Sequence, residues 1–495
     1  MNIDCDSVSY FSRVYGGDLT DLDRKCREYF SRYINSGISD IIYNVDDIVP
    51  SETRDWWGVR YNRTEEAGQP VSYKDHSIGK VIYNVYVEQG YDPIRVWTTM
   101  AKENSMRPWL SFRMNDVHYA NEPLMHRAFF YTARENGWMI GDTSPEAFWY
   151  GYALDYAVKE VRDEQLAYME EITQSYDAFG IELDFSRTIR CFKELGHHNI
   201  PIMTDFLRQV RALCDRAAEK WGHPIRIMIR LSTRVSWAMD YGFDVSRMVD
   251  EGLADVLVPT AYWGSTDSAI PIDEWKSACG DKEIPILYGI ESNTVNFWHV
   301  IGMEDLAGYT MTAYARGADA VYLYNLFGVP DAWRIAASPE EAMKVPVRRY
   351  LTTMNNFRPK GYTEREAVYL PVTCSAATAS EITFTTGMLD SEKTTLLCLG
   401  VKSGEGKTNE DAAAALTVTV NGTVCIPEGQ SGLSCLEKYH RQRYEDGLAN
   451  HYPWRIFTYR VPAGCDLTGD TVTVRFTAGE AVSIHYAELV NGDLS

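Results

Sequence analysis

Residues 179–187 read FGIELDFSR. This is a short β-rich apolar run with charged residues crowding its carboxyl end, the form of a buried strand that delivers polar groups at one terminus. The period changes on either side of it. The stretch from Glu146 to Ser175 and the segment TDFLRQVRALCDRAAEKW (204–221) carry their apolar residues at amphipathic, helical spacing. A strand between two helices is the repeat unit of an α/β protein.

Working outward, the same alternation runs from residue 1 to about 345. The β-rich runs are Met1 to Asp6, Ser39 to Asp46, Arg107 to Asn115, Phe179 to Ser186, Ile225 to Ser232, Ala254 to Thr260, Ile284 to Glu291 and Ala318 to Leu326. Helical segments separate them, among them DLDRKCREYFSRYINSG and EDLAGYTMTAYARG, the latter stopped by Gly317. Eight such units are what a (β/α)8 TIM barrel needs. A doubly wound open sheet is the second choice, because no Gly-rich phosphate fingerprint follows the first strand.

After Arg348 the pattern switches. Segments such as TTLLCLGVKS, AALTVTVNGTVC, RIFTYRVPAG and DTVTVRFTAG alternate apolar and polar residues between turn signals, as in an antiparallel β-sandwich. Pro359 and Gly361 interrupt the chain in a linker near Asn355 to Thr363. The expected organisation is therefore a barrel over residues 1–355 followed by a C-terminal β-sandwich over 362–495. The sandwich is read either as a carbohydrate-binding module or as a packing or dimerisation domain, and a homodimer is expected. Its segment HRQRYEDGLANHYPWR is a polar, basic and aromatic loop.

Composition agrees with a globular multidomain chain. Its 495 residues exceed what one core usually serves. With 48 Lys+Arg against 69 Asp+Glu the net charge is -21, a surface that repels nucleic-acid backbones and anionic lipid. The amino-terminal residues lack a signal-type apolar run, and charged or polar residues break every apolar window well short of a membrane span. A soluble cytoplasmic protein is expected. Ten cysteines are scattered without CxxC pairs and read as reduced, mostly structural thiols.

Barrel sites are built at the carboxyl ends of the strands. There the sequence places Asp4 and Asp6; Arg113, Asn115, Asp116 and His118; Glu182, Asp184 and Arg187; Arg230 and Arg234; Tyr262 and Trp263; Glu291; and Tyr324 and Asn325. Carboxylates and a histidine exchange protons, aromatic rings stack on a sugar face, and arginines hold an anionic substituent, so this mixture suits a sugar ligand. Glu182 and Asp184 are two apart in a strand and share one face, the interior of a barrel. An ion-pair network with neighbouring arginines is the structural reading of that pair. Glu291, after the seventh run, is read either as a solvated loop residue or, with Glu182, as the carboxylate pair of a retaining glycosidase. Asp116 is placed to orient the His118 imidazole, or simply to cap its loop. No HxH, HExxH or comparable ligand spacing is present, and neither metal nor other cofactor is expected.

At SFRMNDVHY (111–119), FGIELDFSR (179–187), NIDCD (2–6) and LYNLF (323–327) the chain resembles the sialidases of glycoside hydrolase family 156. That resemblance implies a barrel joined to a carboxy-terminal β-sandwich and an inverting exo-sialidase that needs no metal. It also implies that His118 and Asp4 form the proton-transfer pair, with Asp6 the alternative register, and that Arg113, Arg187 and Asn325 bind the substrate. Asp116, Glu182, Asp184 and Tyr262 are expected around them. The readings left beside it are the retaining glycosidase and a non-catalytic sugar-binding barrel.

Overall fold

A computed structural model of the chain describes residues 2–3, 10–11, 14–45, 63–64, 70–71, 81, 83–117, 128–141, 151–261, 266–295, 299–325, 330–352, 370–429 and 454–493. All eight expected runs contain a strand. These are β1 (Asn2–Ile3), β2 (Asp40–Asn44), β3 (Arg107–Arg113), β4 (Gly180–Asp184), β5 (Arg226–Leu231), β6 (Val256–Pro259), β7 (Leu287–Glu291) and β8 (Ala320–Tyr324). The main helices between them are α1 (Leu22–Ser31), α2 (Pro93–Glu103), α3 (Lys159–Ser175), α4 (Ile200–Trp221) and α5 (Met303–Ala315). The chain divides into two compact units, one of Met1–Tyr262, Glu274–Ile286 and Tyr324–Pro330, the other of Trp263–Asp273, Leu287–Leu323 and Asp331–Ser495.

In the first unit β1 to β6 are parallel and each lies beside its predecessor in the chain, in the order β6-β5-β4-β3-β2-β1, and Arg63–Thr64 and Pro70–Val71 form a separate antiparallel pair. Asn2 of β1 pairs in turn with Tyr324 of β8, and Leu257 of β6 bridges in parallel to Ile286. The reversal of strand order that defines a doubly wound sheet does not occur along this path. Apart from their first residues, β2, β3, β5 and β6 are buried throughout, as is all of β4, because helices cover one face and side chains fill the other. Local signals set the helix ends. Asp92 caps α2 by accepting from the Arg95 N–H at 3.1 Å, ahead of Pro93, and Gly222 closes α4 at φ 77°. Gly180 opens β4 because a Cβ there would lie 2.5 Å from the Trp109 ring and 2.6 Å from the Arg226 carbonyl.

One expected helix is shorter than its pattern. Within the stretch from Glu146 to Ser175, α3 starts only at Lys159. Immediately before it the backbone is committed to tertiary partners: Leu154 bridges to Met139, and Tyr156 donates its N–H to the Cys191 carbonyl at 2.7 Å. Those bonds take the groups a longer helix would use.

The second unit holds β7 beside residues 320–323 of β8, a two-stranded antiparallel ribbon of Asn293–Val295 and His299–Val300, and two larger antiparallel sheets. Their strands are β9 (Val347–Leu351), β10 (Val372–Cys374), β11 (Ser380–Thr385), β12 (Thr394–Ser403), β13 (Leu416–Val420), β14 (Thr423–Val424), β15 (Ile426–Gly429), β16 (Arg455–Arg460), β17 (Thr471–Ala478) and β18 (Val482–Gly492). One sheet runs β9-β18-β12-β16-β15 with β10 also on β18; the other runs β11-β17-β13-β14. The first strand of these two sheets begins at Val347, while the linker near Asn355 to Thr363 lies outside the described residues. The strand β9 is held to α5 by charge. Arg349, 3% exposed, pairs with Glu304 of α5 and Glu488 of β18, each at 2.5 Å, and the Tyr486 hydroxyl donates to Glu488 at 2.6 Å.

Gly308 makes this close approach feasible, since a Cβ would stand 1.9 Å from the Arg349 carbonyl oxygen. Gly308→Ala is expected to lower the stability of this unit by at least about 1–3 kcal/mol, the usual cost of overpacking a filled core. Urea unfolding monitored by tryptophan fluorescence measures it, and an unchanged midpoint would refute the tight contact.

The eight described cysteines are all free thiols and seven are buried. Burial pushes Cys26 and Cys425 up to about 11, well away from thiolate chemistry at neutral pH. Among the described residues, no helix is long and apolar enough to cross a membrane.

Candidate functional site

The registers of β3, β4 and β5 set polar side chains in two lateral rows. Ser111, Glu182 and Met228 occupy one, and Arg113, Asp184 and Arg230 the next toward the carboxyl ends. Residues level with each other in a parallel sheet point to the same side, so charge from three strands converges there. Arg113, Asp184 and Arg230 are 4%, 0% and 1% exposed. Arg230 Nη1 donates to both oxygens of Asp184, at 2.9 and 2.8 Å. Its guanidinium also lies over the Tyr324 ring, 3.8 Å from the centroid. Arg113 donates from Nη1 to Asp116 at 3.1 Å and from Nη2 to the Tyr324 hydroxyl at 3.2 Å. A continuous path therefore runs Asp184, Arg230, Tyr324, Arg113, Asp116.

The turns beyond the strands are fastened to this row. Met114 donates its N–H to the Asp184 carbonyl and Phe185 to the Arg230 carbonyl, each at 3.1 Å. The Arg187 N–H donates to Asp184 Oδ1 at 3.0 Å, so the carboxylate also fastens the turn after β4, and Arg187 is itself buried. Asn115 is spent on scaffolding. Its amide donates to the carbonyls of Leu154 and Arg190, both at 3.0 Å, and accepts from the Leu154 N–H at 2.8 Å. Asn325, just after β8, adopts the left-handed conformation at φ 59°, and its buried Oδ1 has no hydrogen-bond partner among the described residues. An acceptor so placed suits a ligand N–H or O–H.

Arg113, Asp116, Glu182, Asp184, Arg187 and Asn325 all fall in the first unit. His118, Asp4, Asp6, Tyr262 and Trp263 lie outside the described residues. Asp116 carries an ion pair with Arg113, and His118, the imidazole it was expected to orient, lies outside the described residues. For Asp184 the ion-pair reading holds, and the arginine is Arg230 of the next strand. Glu182 is fully covered and sits one row, about 6.6 Å, farther from the strand ends than Asp184. Glu291 belongs to the second unit, and the solvated-loop reading fails for it. It ends β7 at 2% exposure, its N–H donating to Thr266 Oγ1 at 3.1 Å and its carbonyl accepting from that hydroxyl at 3.3 Å.

Arg230 and Tyr324 were visible in the sequence only as strand-end residues without a role. The signal that joins them is lateral register, which places Arg230 level with Asp184. In formal charge, Arg113, Arg187 and Arg230 balance Asp116, Glu182 and Asp184, so the cluster is near neutral within a chain of net charge -21. No group of three His, Cys, Asp or Glu residues among the described ones could hold a metal.

No protein-family model matches the chain, and no curated protein matches it. Among solved structures, the glycoside hydrolase domain of PgaB (BpsB) from Bordetella bronchiseptica is similar at TM-score 0.40 and 9% identity, covering 68% of this chain and 98% of that one. A glycoside hydrolase family 18 N-acetylglucosaminidase from Paenibacillus barengoltzii gives TM-score 0.36 at 11% identity, covering 64% and 96%. The Group IV chitinase of Ostrinia furnacalis gives TM-score 0.30 at 12% identity over 53% of this chain, which spans 60% of the length of that one.

Proposed function

We propose that the protein is a glycoside hydrolase, an inverting exo-α-sialidase whose parallel strands form a (β/α)8 barrel. The observation that carries this reading is the buried Arg113 guanidinium at the end of β3, held by Asp116 and the Tyr324 hydroxyl, with a second buried arginine, Arg187, just beyond β4. A sialoside bears a carboxylate on its anomeric carbon, so its site needs fixed positive charge beside the breaking bond. Arginine supplies a planar fork that matches a carboxylate, and burial strengthens that attraction against a distant surface charge of -21.

In this reading Arg113, Arg187 and Asn325 hold the sugar, and Tyr262 is assigned to substrate binding from the sequence alone. Glu182 and Asp184, both wholly covered, act from beneath by balancing the arginines. His118 and Asp4 are assigned the proton transfers by the family resemblance. In an inverting reaction one of them protonates the leaving oxygen while the other activates water on the opposite face, across about 6.5–9.5 Å. The pairing of Asn2 with Tyr324 brings the first strand beside the last, which supports the barrel reading.

Hydrolysis of an aryl α-sialoside, run beside a panel of neutral aryl glycosides, tests the proposal. Release of phenol from the sialoside alone is the expected result. Turnover confined to neutral glycosides would overturn it and direct attention to Glu182 and Glu291 as a retaining pair, and binding of sialosides without turnover would make the chain a sugar-binding barrel.

A further inference from the structure

We propose that Tyr324 is a specificity-determining positioning residue, whose hydroxyl fixes the Arg113 guanidinium in the orientation that receives a substrate carboxylate. The proposal rests on the sialidase reading for the identity of the anion, but its physical basis is separate. Arg113 has four single-bond torsions along its side chain, and a fork that recognises a carboxylate in two parallel hydrogen bonds must be held in plane before the ligand arrives. Among the described residues, Asp116 and Tyr324 do this. Asp116 takes Nη1 at 3.1 Å, and the hydroxyl of Tyr324, 211 positions from Arg113 in the chain, takes Nη2 at 3.2 Å.

The two anchors differ in stiffness. Asp116 lies in the turn after β3, three residues from Arg113, and its side chain is 19% exposed. Tyr324 ends β8 at 1% exposure, and its ring is clamped from one side by Arg230, 3.8 Å from the centroid. Arg230 is itself locked by both oxygens of the fully covered Asp184. The phenol oxygen is therefore a point fixed by two neighbouring strands, and Arg113 is aligned against it. Arg230 acts at one remove, through Tyr324.

Tyr324→Phe isolates the hydroxyl, because the ring that Arg230 covers stays in place. The hydrogen bond lost is to a charged donor, so the expected result is a rise of about tenfold to a hundredfold in KM for an aryl α-sialoside with kcat little changed. The carboxyl methyl ester of the same sialoside presents no anion, and its kcat/KM should change less than threefold. Equal losses on acid and ester would overturn the proposal in favour of general loosening, as would an unaltered KM for the acid. Titration of free N-acetylneuraminate by calorimetry, on wild type and variant, separates this from the parent reading. Wild type that binds the carboxylate without hydrolysing a sialoside refutes the sialidase and leaves the positioning role to be judged by the variant's weaker binding; wild type that neither binds nor turns over refutes both.

Discussion

Arg230→Met lowers the free energy of unfolding by about 3–5 kcal/mol, the cost of stranding one member of a buried ion pair. Asp184 is fully covered and both its oxygens accept from Arg230, so the substitution leaves a carboxylate in a low-dielectric interior with only the Arg187 N–H among its identified donors. Methionine fills much of the volume, and the loss is therefore electrostatic more than a cavity effect. Urea unfolding gives the number, provided the slope of the transition is unchanged. Removing the second charge separates the causes. The double variant Asp184→Leu with Arg230→Met should recover most of the loss, because a buried pair exchanged for apolar groups is often close to neutral in stability. A single variant costing less than about 1 kcal/mol would mean that water reaches Asp184 and that the row is not dry.

Replacing His118 by alanine is expected to reduce kcat for an aryl α-sialoside by about 10²–10⁴-fold, the ordinary contribution of a positioned proton donor or acceptor. One limb of the bell-shaped pH dependence should disappear with it, since a single titrating group would then control the rate. Asp4→Ala should produce a loss of the same order and abolish the other limb, whereas Asp6→Ala should leave both limbs. The reverse result for the two aspartates would shift the register of the first strand by two residues. Turnover surviving His118→Ala within about threefold would remove the histidine from the chemistry altogether.

Much of the architecture was legible because it depends on short-range pattern. Burial on both faces leaves near-continuous apolar runs such as Ile227 to Leu231, and a covering helix announces itself by period, as α4 does before its Gly222 stop. Where the pattern misled, a long-range bond had intervened. The amphipathic stretch before Lys159 looks helical, yet its backbone is drawn to Met139 and Cys191. Of the two readings of Glu291, the solvated loop residue fails because Thr266 bonds its backbone and the position is covered.

The sequence by itself determined that strands and helices alternate over the first 345 residues, that antiparallel strands follow, and that arginines and carboxylates collect at the ends of the third and fourth strands. Each of these follows from residues close in the chain, whose spacing alone sets which face they share. Partner choice was decided only by the tertiary structure. Asp184 has Arg187 three residues away, yet its carboxylate lies on Arg230, 46 positions later, because parallel register sets those two side chains level. Arg113 likewise meets Tyr324 from the far end of the parallel strands. A buried charge takes the donor that the sheet brings level with it, and lateral register carries no signature in local sequence.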